Sequence, residues 1–196
     1  MTNQGRRERE RAARQRLIVT AARELAEAEG WEAVTTRRLA ERVEYSQPVL
    51  YSHFKGMGAI MAAVAVEGFA ELAGELAAAR SAAARSAASG DARDALINVA
   101  AAYVEFAERR PALYDAMFAR AVDLPFASAE TPGPLREAFG ALAKAVEPFA
   151  GADDLDLVTE SLWAALHGLV TLTRGGRMPR EVQDRRLAVL LKRFAD

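Results

Sequence analysis

The chain has 196 residues, 51% of them hydrophobic and 27% charged, a balance that suits a soluble chain with a substantial core rather than a disordered one. It contains no cysteine, which excludes disulfides and thiolate metal sites. The formal net charge of −1 conceals an asymmetry, because residues 1–60 hold 11 Lys/Arg against 8 Asp/Glu while residues 61–196 hold 15 against 19.

The basic excess lies at the front, where Arg6, Arg7, Arg9, Arg11, Arg14 and Arg16 oppose only Glu8 and Glu10. Two readings stand for this stretch. It can be a basic arm that attracts phosphates without regard to base sequence, or a solvated helix face laced by i,i+4 Glu–Arg pairs. Ile18, Ala21, Ala22 and Leu25 then make an apolar stripe that Gly30 is placed to end. Thr35 can cap a short helix carrying Leu39, Ala40 and Val43, and Ser46 can cap the next. A long Ala-rich helix is predicted from about Met57 to Arg85, with Ile60, Val64, Phe69 and Leu76 on it, broken by Ser89-Gly90-Asp91.

Leu96, Val99, Ala100, Tyr103, Val104 and Ala107 recur at helical spacing, and Pro111 suits the first turn of a helix holding Leu113, Tyr114, Met117 and Phe118. Residues 124–134, with three prolines and a glycine, read as a loop. Leu135, Phe139, Leu142 and Val146 define another helix running to Pro148. Asp153 or Asp154 can cap an apolar helix to Arg174, which Gly175-Gly176 stops. Pro179 begins the last helix, with Leu187, Leu190, Leu191 and Phe194. Gly168–Thr173 contains β-branched residues but keeps the 3.6 period of its surroundings. The expected fold is all-α with about nine helices. No uninterrupted apolar run reaches the roughly 20 residues of a membrane helix, and the Arg-rich start lacks the apolar centre of a signal peptide, so a cytoplasmic location is expected.

Residues 35–55 carry the most chemistry: two short helical segments joined by a tight turn, the layout of a helix-turn-helix that places its second helix in the major groove. Gln47, at the start of that helix, has the amide needed to bond adenine N6 and N7 together, and Pro48 and Val49 offer apolar surface to thymine methyls. Arg37 can reach guanine O6 and N7; Arg38 beside it points about 100° away, so one of the two is solvated or faces phosphate. Leu39, Ala40, Leu50 and Phe54 read as the small core beneath the two helices. Taken alone, His53 is equally an ordinary surface histidine and Tyr51 a core aromatic with a wet hydroxyl.

Residues 9–60 resemble the DNA-binding domain of the TetR family of bacterial transcriptional regulators, through the Leu50-Tyr51-Ser52-His53-Phe54 element above all. The stretch Gln47–Lys55 is similar to the recognition helix of that family. The resemblance implies that Thr36, Tyr51, His53 and Lys55 hold phosphates. The chain departs from the family pattern at Glu44-Tyr45, where a glycine and a small apolar residue are usual, and at Met57-Gly58, where a lysine and an acid are common. A left-handed turn at Glu44 costs about 1 kcal/mol relative to glycine. Gly56 can still cap the helix that follows, and bare N–H groups there can meet a phosphate.

The resemblance further implies a division into a DNA-binding domain at 1–55 (with 1–11 as the arm) and a helical ligand-binding and dimerisation domain at 56–196. Leu162, Trp163, Leu166, Leu169, Val170 and Leu172 are apolar on several faces of one helix. With the last helix they can build a four-helix bundle across a two-fold axis, or simply complete the core of one protomer. Trp163-Ala164-Ala165-Leu166-His167-Gly168 resembles the Trp-x-x-x-His-Gly signature of one regulatory-domain subclass; His167 is then a polar handle in an aromatic pocket, a dimer-interface group or a satisfied core residue. Tyr103, Phe106, Tyr114, Met117, Phe118 and Phe139 are candidates for an apolar cavity, or for plain core. The expected function is a ligand-responsive homodimeric repressor at a palindromic operator, its effector apolar or aromatic. The alternative is a constitutive or protein-controlled DNA-binding factor without a small-molecule effector. An enzyme is not expected, because the two histidines fall in different predicted domains and no metal-spaced cluster or Gly-rich phosphate loop occurs; neither cofactor nor metal is foreseen.

Overall fold

Thr35 accepts a hydrogen bond from the Arg38 N–H at 3.3 Å, and Asp154 accepts from the Asp156 and Leu157 N–H groups at 2.9 and 3.3 Å, so local capping chemistry sets where helices begin. The computed structural model describes residues 3–86, 91–120, 124–126 and 128–195. Among these it contains nine α-helices and no strand: α1 (Asn3–Glu29), α2 (Thr36–Arg42), α3 (Gln47–His53), α4 (Met57–Ser86), α5 (Ala92–Arg109), α6 (Pro111–Phe118), α7 (Gly133–Val146), α8 (Leu155–Arg174) and α9 (Gln183–Ala195). Residues 1 and 2 of the basic arm, and Ser89 and Gly90 of the expected break, lie outside the described residues. The chain divides into two compact units, Met1–Gly68 with Arg110–Pro132, and Phe69–Arg109 with Gly133–Asp196.

In the first unit α1 buries Ile18, Val19, Ala21, Ala22, Leu25 and Ala26, the i,i+3,i+4 stripe of an amphipathic helix. Gly30, at a φ of 84°, takes the left-handed exit that a Cβ would strain, and a 3-10 turn at Trp31–Ala33 follows. That turn buries the Trp31 indole. The first N–H groups of α6 lack a cap from their own neighbour Arg110. The Glu27 carboxylate supplies it, accepting from the Ala112 and Leu113 N–H groups at 3.2 and 3.0 Å. Gly68 allows α6 to approach closely: a Cβ there would sit 2.7 Å from Met117 Sδ and 2.9 Å from Leu113 Cδ1.

The second unit is built on α5, whose Leu96, Val99, Ala100, Tyr103, Phe106 and Ala107 are buried. α8 contributes Leu162, Leu166 and Val170, and α9 contributes Leu187 and Leu191. α8 stops as the glycine pair requires. Gly176 has a φ of 67°, and the Arg177 and Gly176 N–H groups bond the Leu172 and Thr173 carbonyls at 2.8 and 3.1 Å, a Schellman closure. A buried Thr173–Gln183 hydrogen bond of 2.8 Å then fixes the end of α8 to the start of α9.

Three elements differ from expectation. The last α-helix, expected from Pro179, begins at Gln183, after a 3-10 turn at Arg180–Val182. α7 begins at Gly133, inside the segment read as loop, because Pro134 is tolerated in a first turn where no N–H is needed. In α4, Met57–Ala83 is long and apolar enough by length and composition to cross a membrane, with a mean hydropathy of 1.4. Counting uninterrupted runs missed this, because the many alanines and the aliphatic residues among them keep the mean high while Glu67, Glu71 and Glu75 break the runs. One face of the helix is buried, through Ile60, Val64, Phe69, Leu72 and Leu76.

Candidate nucleic-acid interface

α2 and α3 rest on Leu39, Ala40, Val43 and Leu50, all buried, with Phe54 half-buried at the end of α3. Between the helices, Glu44 has a φ of 56°, the positive value that glycine normally supplies, and among the described residues it alone of the non-glycines does so. The Tyr45 N–H reaches the Ala40 carbonyl at 2.9 Å and the Glu44 N–H the Glu41 carbonyl at 3.4 Å. The turn is therefore the usual Schellman closure with a strained residue at its left-handed position.

This mounting leaves the outer face of α3 in solvent. Gln47, Pro48 and Val49 are exposed in the first turn, and Tyr51 is 55% exposed, unusual for so large an aromatic. Pro48 falls in the first turn, so no intrahelical bond is lost, while Ser46 precedes the helix without a side-chain cap. Ser52 turns its hydroxyl back onto the Val49 carbonyl at 2.6 Å. Thr36 is half-buried at the start of α2, and Lys55 is exposed just beyond α3.

The two arginines of α2 separate as their spacing requires. Arg38 makes a bidentate pair with Glu29, at 2.8 and 2.7 Å, and holds α2 to α1. Arg37 stays in solvent, 80% exposed, bonded to Glu41 one turn on at 2.9 Å. That carboxylate raises the Arg37 pKa, first by the hydrogen bond and then by its charge.

His53 is half-buried and its Nδ1 is buried with no hydrogen-bond partner among the described residues. Desolvation lowers its pKa below 6.5, and the charges of Arg11 and Arg14 lower it further. The end of α3 is thus flanked by two exposed cations of α1, a grouping that sequence spacing across some forty residues does not reveal. Nearby, the Gln15 amide donates to the His53 carbonyl at 3.4 Å. Further out on α1, Arg6 pairs with Glu10 at 3.7 Å, so part of the basic arm is a helix face with an i,i+4 ion pair. Exposed apolar and amide groups followed by cations and hydroxyls can meet base edges and phosphates respectively.

Two comparisons with known families decide the matter. Residues 18–64 match a family described as bacterial regulatory proteins, tetR family, and residues 96–194 match one described as tetracyclin repressor-like, C-terminal domain. The chain belongs to the TetR family of transcriptional regulators.

This TetR-family chain is 36% identical over 109 residues to the uncharacterised HTH-type transcriptional regulator YobS of Bacillus subtilis (strain 168), covering 56% of this chain and 53% of that protein. It is 48% identical over 48 residues to the tetracycline repressor protein class C of Escherichia coli, covering 24% of this chain and 22% of that protein. The matched region thus spans about half the length of the first relative and less of the second. A TetR variant from Acinetobacter baumannii AYE, solved in complex with minocycline, shares the fold at a TM-score of 0.62 and 18% identity, with 91% of this chain and 92% of that chain covered.

The residues read as ligand-binding fall in both units of the TetR-family chain. In the first, Tyr114 and Met117 are buried and Phe118 is half-buried, with the Tyr114 and Phe118 rings tilted at a centroid distance of 4.7 Å. In the second, Tyr103 and Phe106 are fully buried, and the half-buried Trp163 donates its Nε1–H to the Tyr103 hydroxyl at 3.1 Å. Phe139 and His167 are half-buried. Desolvation lowers the His167 pKa, and its carbonyl accepts the Thr171 hydroxyl.

Proposed function

We propose that this regulator is a ligand-responsive homodimeric repressor that reads a palindromic operator through the major groove. The observation that carries the reading is the solvent-facing first turn of α3, Gln47-Pro48-Val49, mounted on a buried core. Gln47, Pro48, Val49 and Arg37 are the base readers, and Thr36, Tyr51, His53 and Lys55 the phosphate anchors. Reading a palindrome needs two such helices one helical turn apart, which a two-fold dimer provides. Support for the dimer comes from the last two helices, where Leu157, Leu172 and Val189 are 63%, 47% and 65% exposed. Large aliphatics left in solvent on neighbouring helices suit a four-helix interface.

Residues 1–55 then act as the DNA-binding part and 56–196 as the regulatory part, in the cytoplasm and without catalysis. The effector is an apolar or aromatic small molecule held by some of Tyr103, Phe106, Tyr114, Met117, Phe118, Phe139, Trp163 and His167. A TetR-fold relative bound to minocycline supports an effector of that kind. Repression is relieved when the effector binds the DNA-incompetent conformation more tightly than the competent one. Sedimentation of the free protein and of its mixture with DNA flanking its own gene tests the assembly. A dimer at micromolar concentration and two protomers per bound site are expected; a persistent monomer on one half-site contradicts the reading.

A further inference from the structure

The three arginines of α2 are used in two different ways. Arg38 commits both terminal nitrogens of its guanidinium to Glu29, at 2.8 and 2.7 Å, and Arg42 commits one to Glu24 at 2.8 Å. Both acids lie on α1, so these pairs stitch the two helices together. Arg37 is held the other way round. Its inner nitrogen, Nε, donates to Glu41 Oε1 at 2.9 Å, while Nη1 and Nη2 meet no acceptor among the described residues. The end of the guanidinium, with its parallel N–H donors, is left to solvent.

Helix stability does not account for this pair. Arg37 is the second residue of α2 and Glu41 the sixth, which sets a cation at the positive end of the helix dipole and an acid near the negative end. Cation before acid is also the weaker order for an i,i+4 pair, and two largely exposed groups gain little from each other in water. What the contact does is hold a long, rotamer-rich side chain in one place.

We propose that Glu41 is a positioning residue: by holding Arg37 Nε it presents both Nη donors, end-on, to the O6 and N7 of one guanine in each operator half-site. The proposal rests on the reading of Arg37 as a base contact and adds what makes that contact selective. Bidentate recognition of guanine needs two donors placed together, and a side chain ordered in advance loses less freedom when it binds. Phosphates repel the carboxylate, so a backbone contact by Arg37 is disfavoured while one to a neutral base edge is not.

Fluorescence anisotropy of the full chain tests it on three kinds of duplex. These are the palindrome flanking the chain's own gene, the same palindrome with each half-site guanine replaced in turn by adenine, and scrambled DNA. Arg37→Ala should erase discrimination at one guanine, which marks the position read. Glu41→Ala should reduce discrimination at that same guanine by roughly three- to ten-fold, the cost of ordering one side chain, while affinity for scrambled DNA stays equal or rises. Glu41→Gln keeps an oxygen acceptor at the same reach and should restore most of the discrimination. In the Arg37→Ala background, Glu41→Ala should change nothing at that position. A merely structural pair would lower affinity for operator and scrambled DNA alike, and that result overturns the proposal. So does a loss that persists without Arg37, which would make Glu41 a reader in its own right, of a cytosine amino group. If Arg37→Ala erases discrimination at a guanine and Glu41→Ala leaves it intact, the proposal alone fails. If Arg37→Ala erases none, the base reading by Arg37 fails with it.

Discussion

Trp31 Nε1 donates a buried 2.7 Å hydrogen bond to the carbonyl of Ala112, 81 residues further along the chain. With the Glu27 carboxylate on the Ala112 and Leu113 N–H groups, it secures the first turn of α6 to the end of α1. Trp31→Phe keeps the aromatic bulk and removes the indole donor, leaving the Ala112 carbonyl only its place in the hydrogen-bond ladder of α6. A destabilisation of about 0.5–1.5 kcal/mol is expected, the net worth of one buried hydrogen bond, read as a lower urea midpoint at unchanged slope. A midpoint equal to wild type would show that water replaces the indole.

The strained turn predicts the opposite sign. Glu44 holds a φ of 56° with its side chain exposed, so nothing but the backbone opposes glycine there. Glu44→Gly should stabilise the free protein by about 1 kcal/mol, less the greater entropy of the unfolded glycine. Thermal melts decide it, and a lower melting temperature would mean that the Glu44 side chain makes a compensating contact.

Arg11 and Arg14 approach the end of α3 closely enough to depress the His53 pKa. If each neutralises one DNA phosphate, Arg11→Gln/Arg14→Gln should reduce the slope of log K against log salt by roughly 2. Fluorescence anisotropy on operator DNA across a salt series measures it. An unchanged slope would remove α1 from the interface.

Both histidines have folded pKa values lowered from 6.5, His53 by burial, Arg11 and Arg14, and His167 by burial. The unfolded chain therefore binds more protons below about pH 6.5, and stability falls as pH drops from 7 toward 5. Glu29, lowered from 4.5 by its hydrogen bond to Arg38, loses its contribution only at more acidic pH. DNA shifts the balance the other way. A phosphate at Arg11 and Arg14 screens their charge and raises the His53 pKa, so binding takes up a proton and tightens as pH falls. His53→Gln should flatten the pH dependence of operator affinity between pH 5 and 7, and His167→Gln should not. Equal profiles for wild type and His53→Gln would place the imidazole away from phosphate.

What could be read from the residues follows the range of the forces involved. The Thr35 cap, the Gly30 and Gly175-Gly176 stops, the choice of Asp154 and the left-handed Glu44 are settled within six residues, so spacing and capping rules reach them. The exposed face of α3 follows from the same local logic once Leu50 is buried. Contacts across the chain do not. Nothing in the spacing of Glu27 and Trp31 announces that they receive α6, nor that Arg110–Pro132 groups with the N-terminal unit. Aromatics at helical spacing look alike whether buried against core or facing a cavity, which is why Tyr114, Met117 and Phe118 were grouped with Tyr103 and Phe106 although they lie in different units.

The account rests on base reading by the first turn of α3, and Gln47→Ala tests that most directly. Anisotropy should be compared for wild type and Gln47→Ala, on a palindrome from DNA flanking the chain's own gene and on scrambled DNA of equal length. A loss of about 1–3 kcal/mol on the palindrome with nonspecific affinity unchanged is the predicted result. Equal losses on both, or none on the palindrome, would contradict it.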